Sequence, residues 1–425
     1  MDVCVIGAGY VGLTTSAVLA SFGHHVHCVD NDELKISMLL EGKVPIYEPG
    51  LEELIIEYKE KGNLVFTSQL SDAVKSSSII FIAVGTPLSE DGMADLSFYQ
   101  AVADELSTLI DSYKTIVTKS TVPVGTNNKL QRKLLEKGVS AENFDVVSNP
   151  EFLREGTAIY DTLHPDKIVI GVNKPKPVAT LQKLYQQIEA PLIITSLNGA
   201  EMIKYASNAF LAVKISFINE LAKISDAYDV DIMDVALGLG TDPRIGPHFL
   251  QAGLGYGGSC LPKDLTSMEH QAQKQGITPH LLKAAKTIND SLIDLYVEKL
   301  KSKVTNLPTK RITVWGASFK PNTDDTRHSQ ALKLIDQLIE EGCEVHVFDP
   351  IVTVDKQVTN YKEMYESVKR SDVLIVATEW KQFTQADWAL VKEKMKGETI
   401  LDCRNCLSPR TIKHHGFTYL GVARP

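Results

Sequence analysis

Asp2-Val3-Cys4-Val5-Ile6-Gly7-Ala8-Gly9-Tyr10-Val11-Gly12 opens the chain and decides its fold. The first five residues read as a buried strand, and a G-x-G-x-x-G turn follows without a break. Leu13 to Ser21 then reads as a helix of small and apolar residues. Val26–Val29 is a second strand, ending in Asp30, 18 residues past Gly12 (30 − 12). Strand, glycine turn, helix, strand and acid form the context of a dinucleotide site. Glycines let backbone N–H groups approach a pyrophosphate at a helix N-terminus, whose dipole favours the negative charge. Gly7, Gly9, Tyr10, Val11 and Gly12 are the candidate cofactor residues. Asp30 would accept hydrogen bonds from the adenosine ribose and repel a 2′-phosphate, so NAD is favoured over NADP. Lys35 either reaches the same ribose or is a solvated surface lysine.

Working outward, further strands are expected at 64–67, 79–84, 115–119, 145–147, 168–172 and 192–195. Three of them end in Gly85-Thr86-Pro87, Ser120-Thr121-Val122-Pro123 and Ser148-Asn149-Pro150-Glu151. In an open parallel sheet ligands bind beyond the carboxyl ends of the strands. That places Thr86, Thr121 and Glu151 along one crevice, with Glu155 one turn on if the segment is helical. N-capping or turn formation is the competing role for each. From Gly199 to about Tyr228 no proline occurs and apolar residues recur at helical spacing, giving a helix of roughly 45 Å. Lys204 and Asn208 lie four apart on it, as a site or as a surface pair. A helix this apolar needs partners, and a second copy of the chain is the expected one.

Gly255-Tyr-Gly-Gly-Ser-Cys-Leu-Pro-Lys-Asp264 places Cys260, Lys263 and Asp264 beside three glycines. The thiol is either a nucleophile at the lip of a turn, helped toward thiolate by the lysine, or a small buried hydrophobe. Residues 301–310 read as a domain boundary. Beyond it a strand at 311–315, Gly316-Ala-Ser-Phe-Lys320, a helix near 328–341 and a strand ending in Asp349 repeat the opening plan with one glycine in place of three. Strands at 373–377 and 399–401 complete a smaller sheet, and the polar tail from His414 is expected to be short surface structure. The fold class is α/β: two doubly wound Rossmann-like domains joined by a long central helix and a helical dimerisation region. Its divisions are 1–196, 197–305 and 306–425.

The 425 residues are 44% hydrophobic and 23% charged, with net charge −9 and scattered basic residues, so nucleic acid is not an expected partner. Cys403-x-x-Cys406 has no second pair, and no metal is expected. No run is long enough to span a bilayer. No charged segment followed by an apolar one precedes the first strand, so a cytoplasmic location is expected.

The chain resembles the UDP-glucose/GDP-mannose dehydrogenase family over essentially its whole length. The resemblance is carried by Gly7–Gly12, Lys119-Ser-Thr-Val-Pro-Val-Gly125, Ser148-Asn-Pro-Glu-Phe-Leu-Arg-Glu-Gly156, Glu201-Met-Ile-Lys-Tyr-Ala-Ser-Asn208, Gly257-Gly-Ser-Cys-Leu-Pro-Lys-Asp264 and Gly316–Lys320. It implies a four-electron oxidation of a sugar C6 alcohol, UDP-glucose to UDP-glucuronate, with two NAD reduced by a homodimer. Carried over by position, it implies Cys260 as nucleophile, Lys204 and Asn208 as oxyanion partners, and Asp264 in proton transfer. Glu151 becomes the base for hydrolysis and Thr121 the residue that positions water. Phe152, Leu153, Glu155, Phe249, Leu250, Gln251, Ala252, Gly253, Gly257 and Lys320 resemble substrate contacts. Arg404 resembles a uridine-side contact, and Arg244 would reach the partner subunit's sugar site. Lys263, Arg327, Asp30, Lys35 and Thr86, with Thr121 and Glu155, resemble NAD contacts. The same chemistry on a UDP-N-acetylhexosamine or GDP-mannose, and a nucleotide sensor without turnover, are the competing readings.

Overall fold

The computed structural model describes residues 1–89 and 91–425. The chain forms two compact units, Met1–Ser207 with Thr266–Gln271, and Asn208–Leu265 with Ala272–Pro425.

The first unit is built on eight strands: β1 (Asp2–Ile6), β2 (His25–Val29), β3 (Leu64–Thr67), β4 (Ile79–Ile82), β5 (Lys114–Thr118), β6 (Phe144–Ser148), β7 (Ile168–Val172) and β8 (Leu192–Thr195). Their order is β3-β2-β1-β4-β5-β6-β7-β8, parallel except where β6 meets β7. Helices cover both faces, which is why β4 reads Ile-Ile-Phe-Ile with all four residues buried. One face packs Val3, Val5, Leu13 and Phe81, the other Cys4, Ile6, Ile80 and Ile82. Strand order reverses between β1 and β4, and there the glycine turn leaves β1. Val3 pairs with Val26 on one side and Ile79 on the other, a register that sets Gly7 beside the end of β2. The Gly7 amide donates to the Val29 carbonyl at 2.7 Å.

The second unit repeats this order with six parallel strands: β9 (Arg311–Trp315), β10 (Glu344–Phe348), β11 (Thr359–Tyr361), β12 (Val373–Val376), β13 (Thr399–Asp402) and β14 (Thr418–Leu420), arranged β11-β10-β9-β12-β13-β14. The correspondence extends to atoms. Gly316 donates to the Phe348 carbonyl at 2.8 Å, as Gly7 does to Val29. Asp349 accepts from Ala317 N at 2.8 Å, as Asp30 accepts from Ala8 N at 2.7 Å. The tail departs from the sequence expectation. Thr418–Leu420 pairs with β13, and Phe417, Tyr419, Leu420 and Val422 are buried. The apolar positions of Phe417-Thr-Tyr-Leu-Gly-Val422 were the signal, obscured by the two histidines before them.

The central helix spans Leu197–Ala227, 31 residues, and the division between units falls within it, after Ser207. Between the central helix and β9, His280–Asp290 and Leu292–Lys301 are two helices that meet at Ser291.

Gly12 is a packing glycine. A β-carbon there would stand 1.7 Å from the Gly7 carbonyl oxygen, which is backbone and cannot turn aside. Gly12→Ala is expected to cost about 3 kcal/mol, lowering the first unit's melting transition by roughly 6–12 °C in calorimetry. An unchanged transition would contradict this packing.

Candidate active site

The glycine turn has a double character. Gly7 sits at φ +107° with the site of its missing β-carbon 2.6 Å from the Ala83 carbonyl oxygen, so it too is held by packing. Gly9 has nothing within 4 Å of that site. It is the N-cap of the helix Tyr10–Ser21 and no side chain caps that end, which leaves the helix N–H groups open to an anion. Asp30 closes the far side of the turn. One oxygen holds Ala8 N at 2.7 Å and Lys35 Nζ at 3.2 Å, and the other takes Asp32 N at 3.0 Å. This cradle fits a dinucleotide. The open face at Gly9 admits a pyrophosphate, and Asp30 retains acceptor capacity for ribose hydroxyls.

Farther along the same sheet, Glu151 follows β6 and meets Lys204 of the central helix. Lys204 Nζ stands 2.9 Å from Glu151 Oε1, with side-chain exposures of 4% and 6%. The second Glu151 oxygen accepts from Leu153 N at 2.8 Å, and the Phe152 ring lies 5.3 Å from the Lys204 ammonium. The loops after β4 and β5 are tied together, since Thr86 Oγ1 donates to the Thr121 carbonyl at 2.8 Å. Glu155 is buried in the same segment as Glu151.

A third charged group belongs here that the sequence named only within a motif. Lys119, at the end of β5, donates to Asn149 Oδ1 at 3.2 Å, two residues before Glu151. Desolvation pushes its ammonium down to about 8, against the pull of Glu151 and with a smaller push from Lys204. Glu201 was also missed as an acting residue. It is buried one turn before Lys204 and accepts from Gly125 N, Asn127 N and Asn127 Nδ2 at 2.6, 2.8 and 2.7 Å. It thereby caps the helix Thr126–Glu136 and fixes the central helix against the loop that carries Thr121.

In the second unit Cys260 is the N-cap of the helix Leu261–Lys274 and is half-buried, with its sulfur 3.4 Å from Ser259 Oγ. Burial pushes up the other five thiols, Cys4, Cys28, Cys343, Cys403 and Cys406, and so holds them protonated. Asp264, only 1% exposed, lies one turn into that helix. Asn208 Nδ2 donates to one of its oxygens at 2.6 Å and Lys263 Nζ to the other at 2.6 Å. The Cys260 carbonyl accepts from Asp264 N at 2.9 Å, so thiol and carboxylate are fixed by one turn of backbone.

The glycines before Cys260 are explained by packing. A β-carbon at Gly255 would meet Asn289 Oδ1 at 2.1 Å, at Gly257 the His328 carbonyl at 2.4 Å, and at Gly258 the Phe319 ring at 2.7 Å. Arg404 ties this stretch to its surroundings by donating to the carbonyls of Ala377, Gly255 and Phe319 at 2.9, 3.2 and 2.8 Å. Of the run expected at the substrate, Leu250 and Ala252 are core residues, while Phe249 is half-buried at φ +64° and Gln251 is exposed. Gly253 N donates to Asn219 Oδ1 at 2.9 Å. Lys320 lies with its ammonium 5.4 Å from the Phe319 ring. Arg327 forms a two-point pair with Asp325. Arg244 pairs with Asp242 and keeps 87% of its side chain exposed. Among the described residues no group of His, Cys, Asp and Glu is arranged to hold a metal ion.

Gly9→Ala separates cradle from fold. With free space around the new methyl and φ at −91°, the variant is expected to melt within about 2 °C of the parent while losing at least about tenfold in NAD affinity by calorimetry. Full NAD binding by this variant would place the pyrophosphate elsewhere.

Comparison with known proteins gives one answer along the chain. Residues 1–189 match the NAD binding domain of the UDP-glucose/GDP-mannose dehydrogenase family, residues 198–291 its central domain and residues 313–409 its UDP binding domain. A UDP-glucose 6-dehydrogenase of Rhizobium meliloti (strain 1021) is 41% identical over 437 residues, covering 100% of both chains. The structure of a UDP-glucose dehydrogenase from the archaeon Pyrobaculum islandicum superposes with a TM-score of 0.91 at 35% identity, covering 99% of this chain and 97% of that one. A UDP-D-ManNAc dehydrogenase from Pyrococcus horikoshii superposes at 0.89 with 28% identity, covering 100% and 99%. With its glycine cradle, its buried lysine–glutamate pair and its cysteine at a helix start, the chain belongs to the UDP-glucose/GDP-mannose dehydrogenase family.

Proposed function

We propose that the chain oxidises the C6 alcohol of UDP-glucose to the carboxylate of UDP-glucuronate, reducing two NAD. The observation that carries this reading is on the central helix: Lys204, paired with Glu151, stands one turn from Asn208, bonded to Asp264, the acid next to the cysteine-bearing turn. The likeness to UDP-glucose dehydrogenases at 35–41% identity over nearly the full chain supports the substrate. NAD would be held by Gly7 to Gly12 and Asp30, and when bound it supplies the hydride acceptor for both oxidations.

The chain's own groups do the rest. Asp264, through a water, takes the hydroxyl proton while the Lys204 ammonium stabilises the developing alkoxide, and the hydride lost from C6 would pass to the bound acceptor as the alcohol becomes an aldehyde. The Cys260 sulfur then adds to the aldehyde carbon, forming a C–S bond and an oxyanion. Lys204 and Asn208 donate to that oxygen, leaving the carboxylates they face in the structure. Aldehyde capture restores a tetrahedral carbon with a hydride to give, and its loss leaves a thioester. Glu151 takes a proton from water as the water attacks, the C–S bond breaks and the thiolate is regenerated. Thr121 orients that water. Three working parts follow: 1–196 for NAD, 197–305 for the cysteine and subunit pairing, and 306–425 for the nucleotide, with Lys320 and Arg404 on the UDP side. A thiol nucleophile must stay reduced, which suits the cytoplasm.

Pairing of two copies is supported by the central helix. Phe210, Phe217 and Ile224 recur every seven residues and are 64%, 48% and 51% exposed, a seam suited to a second copy of the same helix. In a dimer formed there, Arg244 would be the residue offered to the neighbouring site. Phe217→Glu is expected to convert the dimer to monomer in sedimentation at micromolar concentration, and a monomeric parent protein would refute the pairing.

The direct test of the activity is NADH released per nucleotide sugar consumed, with UDP-glucose, UDP-N-acetylmannosamine and GDP-mannose side by side. Two NADH from UDP-glucose are expected. One would end the reaction at the aldehyde and leave Cys260 without this role. Two from another sugar alone would keep the chemistry and change the substrate.

A further inference from the structure

We propose that Glu48 is a positioning residue that braces the base-bearing loop against the cofactor turn. It lies in Pro45-Ile-Tyr-Glu-Pro-Gly50, outside every motif that carries the chemistry. Its side chain is buried, 6% exposed, and both its oxygens accept from one distant segment. Oε2 accepts from Gly156 N at 2.5 Å and Oε1 from Ala158 N at 2.7 Å, 108 and 110 residues along the chain.

That segment needs a brace. Residues 151–157 have no regular secondary structure, yet they hold Glu151, Phe152 and Glu155. Leu153 N donates to Glu151 and Arg154 to Asp161 through Nε at 2.9 Å and Nη2 at 2.6 Å, while Lys204 holds Glu151 at the start of the segment. Glu48 supplies a fastening from a different part of the fold, and it is itself held. Prolines fix the backbone on either side, Ile46 packs on the core beneath the glycine turn, and the Tyr10 hydroxyl of that turn donates to the Tyr47 carbonyl at 3.2 Å. The path therefore runs from the helix start that would face the pyrophosphate, through Tyr47 and Glu48, to the loop that holds Glu151. All of it lies within the first unit.

The function of the brace rests on the reading of Glu151 as the base for thioester hydrolysis. Displacing a catalytic group by about 1 Å costs on the order of 100-fold in rate. Loss of the brace should therefore act on the hydrolytic stage, with less effect on the first oxidation.

The test uses the full-length protein, Glu48→Gln and the shorter Glu48→Asp, with two readouts. Amide hydrogen exchange on peptides covering 152–160 reads the brace itself. Protection at Gly156 and Ala158 is expected in the parent and should fall at least about tenfold in Glu48→Gln. Stopped-flow NADH release reads its consequence. The fast initial phase should stay within about threefold while steady-state kcat falls roughly 10- to 100-fold with KM nearly unchanged, and Glu48→Asp should lie between. Unprotected amides in the parent would overturn the brace without need of any variant. Lost protection with kinetics unchanged, or with both phases falling together with Tm, would reduce Glu48 to a structural cap. A parent that releases no NADH would overturn the functional reading, while the exchange data would still decide whether Glu48 holds the loop.

Discussion

An ammonium and a carboxylate 2.9 Å apart with 4% and 6% exposure are expensive to take out of water, at several kcal/mol for each ion. The first unit is arranged around meeting that cost at Lys204 and Glu151. The lysine rides on a long helix anchored one turn earlier by Glu201, itself satisfied by three N–H donors. The glutamate gives its second oxygen to Leu153 N. An aromatic face, Phe152, lies beside the lysine, and a second ammonium, Lys119, is held on Asn149 two residues before the glutamate. Such an arrangement is a poor device for stability alone, since apolar side chains of the same volume serve as well or better. It is a good device for chemistry, because charges already desolvated and oriented act strongly on charge that develops beside them.

The second cluster follows a related rule. Asp264 is buried with a donor on each oxygen, Asn208 and Lys263, and is locked by one helical turn to Cys260. The carboxylate thereby holds both donors in place. Burial leaves the other five thiols protonated, whereas Cys260 is half-buried at the start of a helix.

Much of this was legible in the sequence, because periodicity and glycine spacing report backbone geometry directly. The eight strands of the first sheet, four of the six in the second and the long helix follow from such signals. Strand β14 did not, since its three residues are recognisable only once β13 offers an edge. Residue types also carried double meanings that only coordinates resolve. Asp30 and Asp349 stand at matching strand ends and both hold their glycine turns by the same hydrogen bond, so an acid at that place is partly structural. The glycines around Cys260 are required by packing as well, against Asn289, His328 and Phe319. Lys119, Glu201 and Glu48 escaped notice as acting residues because each works through partners distant in sequence, and no local pattern announces such a contact.

In the proposed reaction Cys260 carries the sugar as a thioester which Glu151 then releases. Intact-protein mass spectrometry on Glu151→Gln, quenched in acid after mixing with NAD and UDP-glucose, tests it directly. An acyl adduct is expected, placed by digestion on the peptide containing Cys260, absent when NAD is withheld and absent in Cys260→Ser. Turnover at the parent rate with no adduct would contradict it.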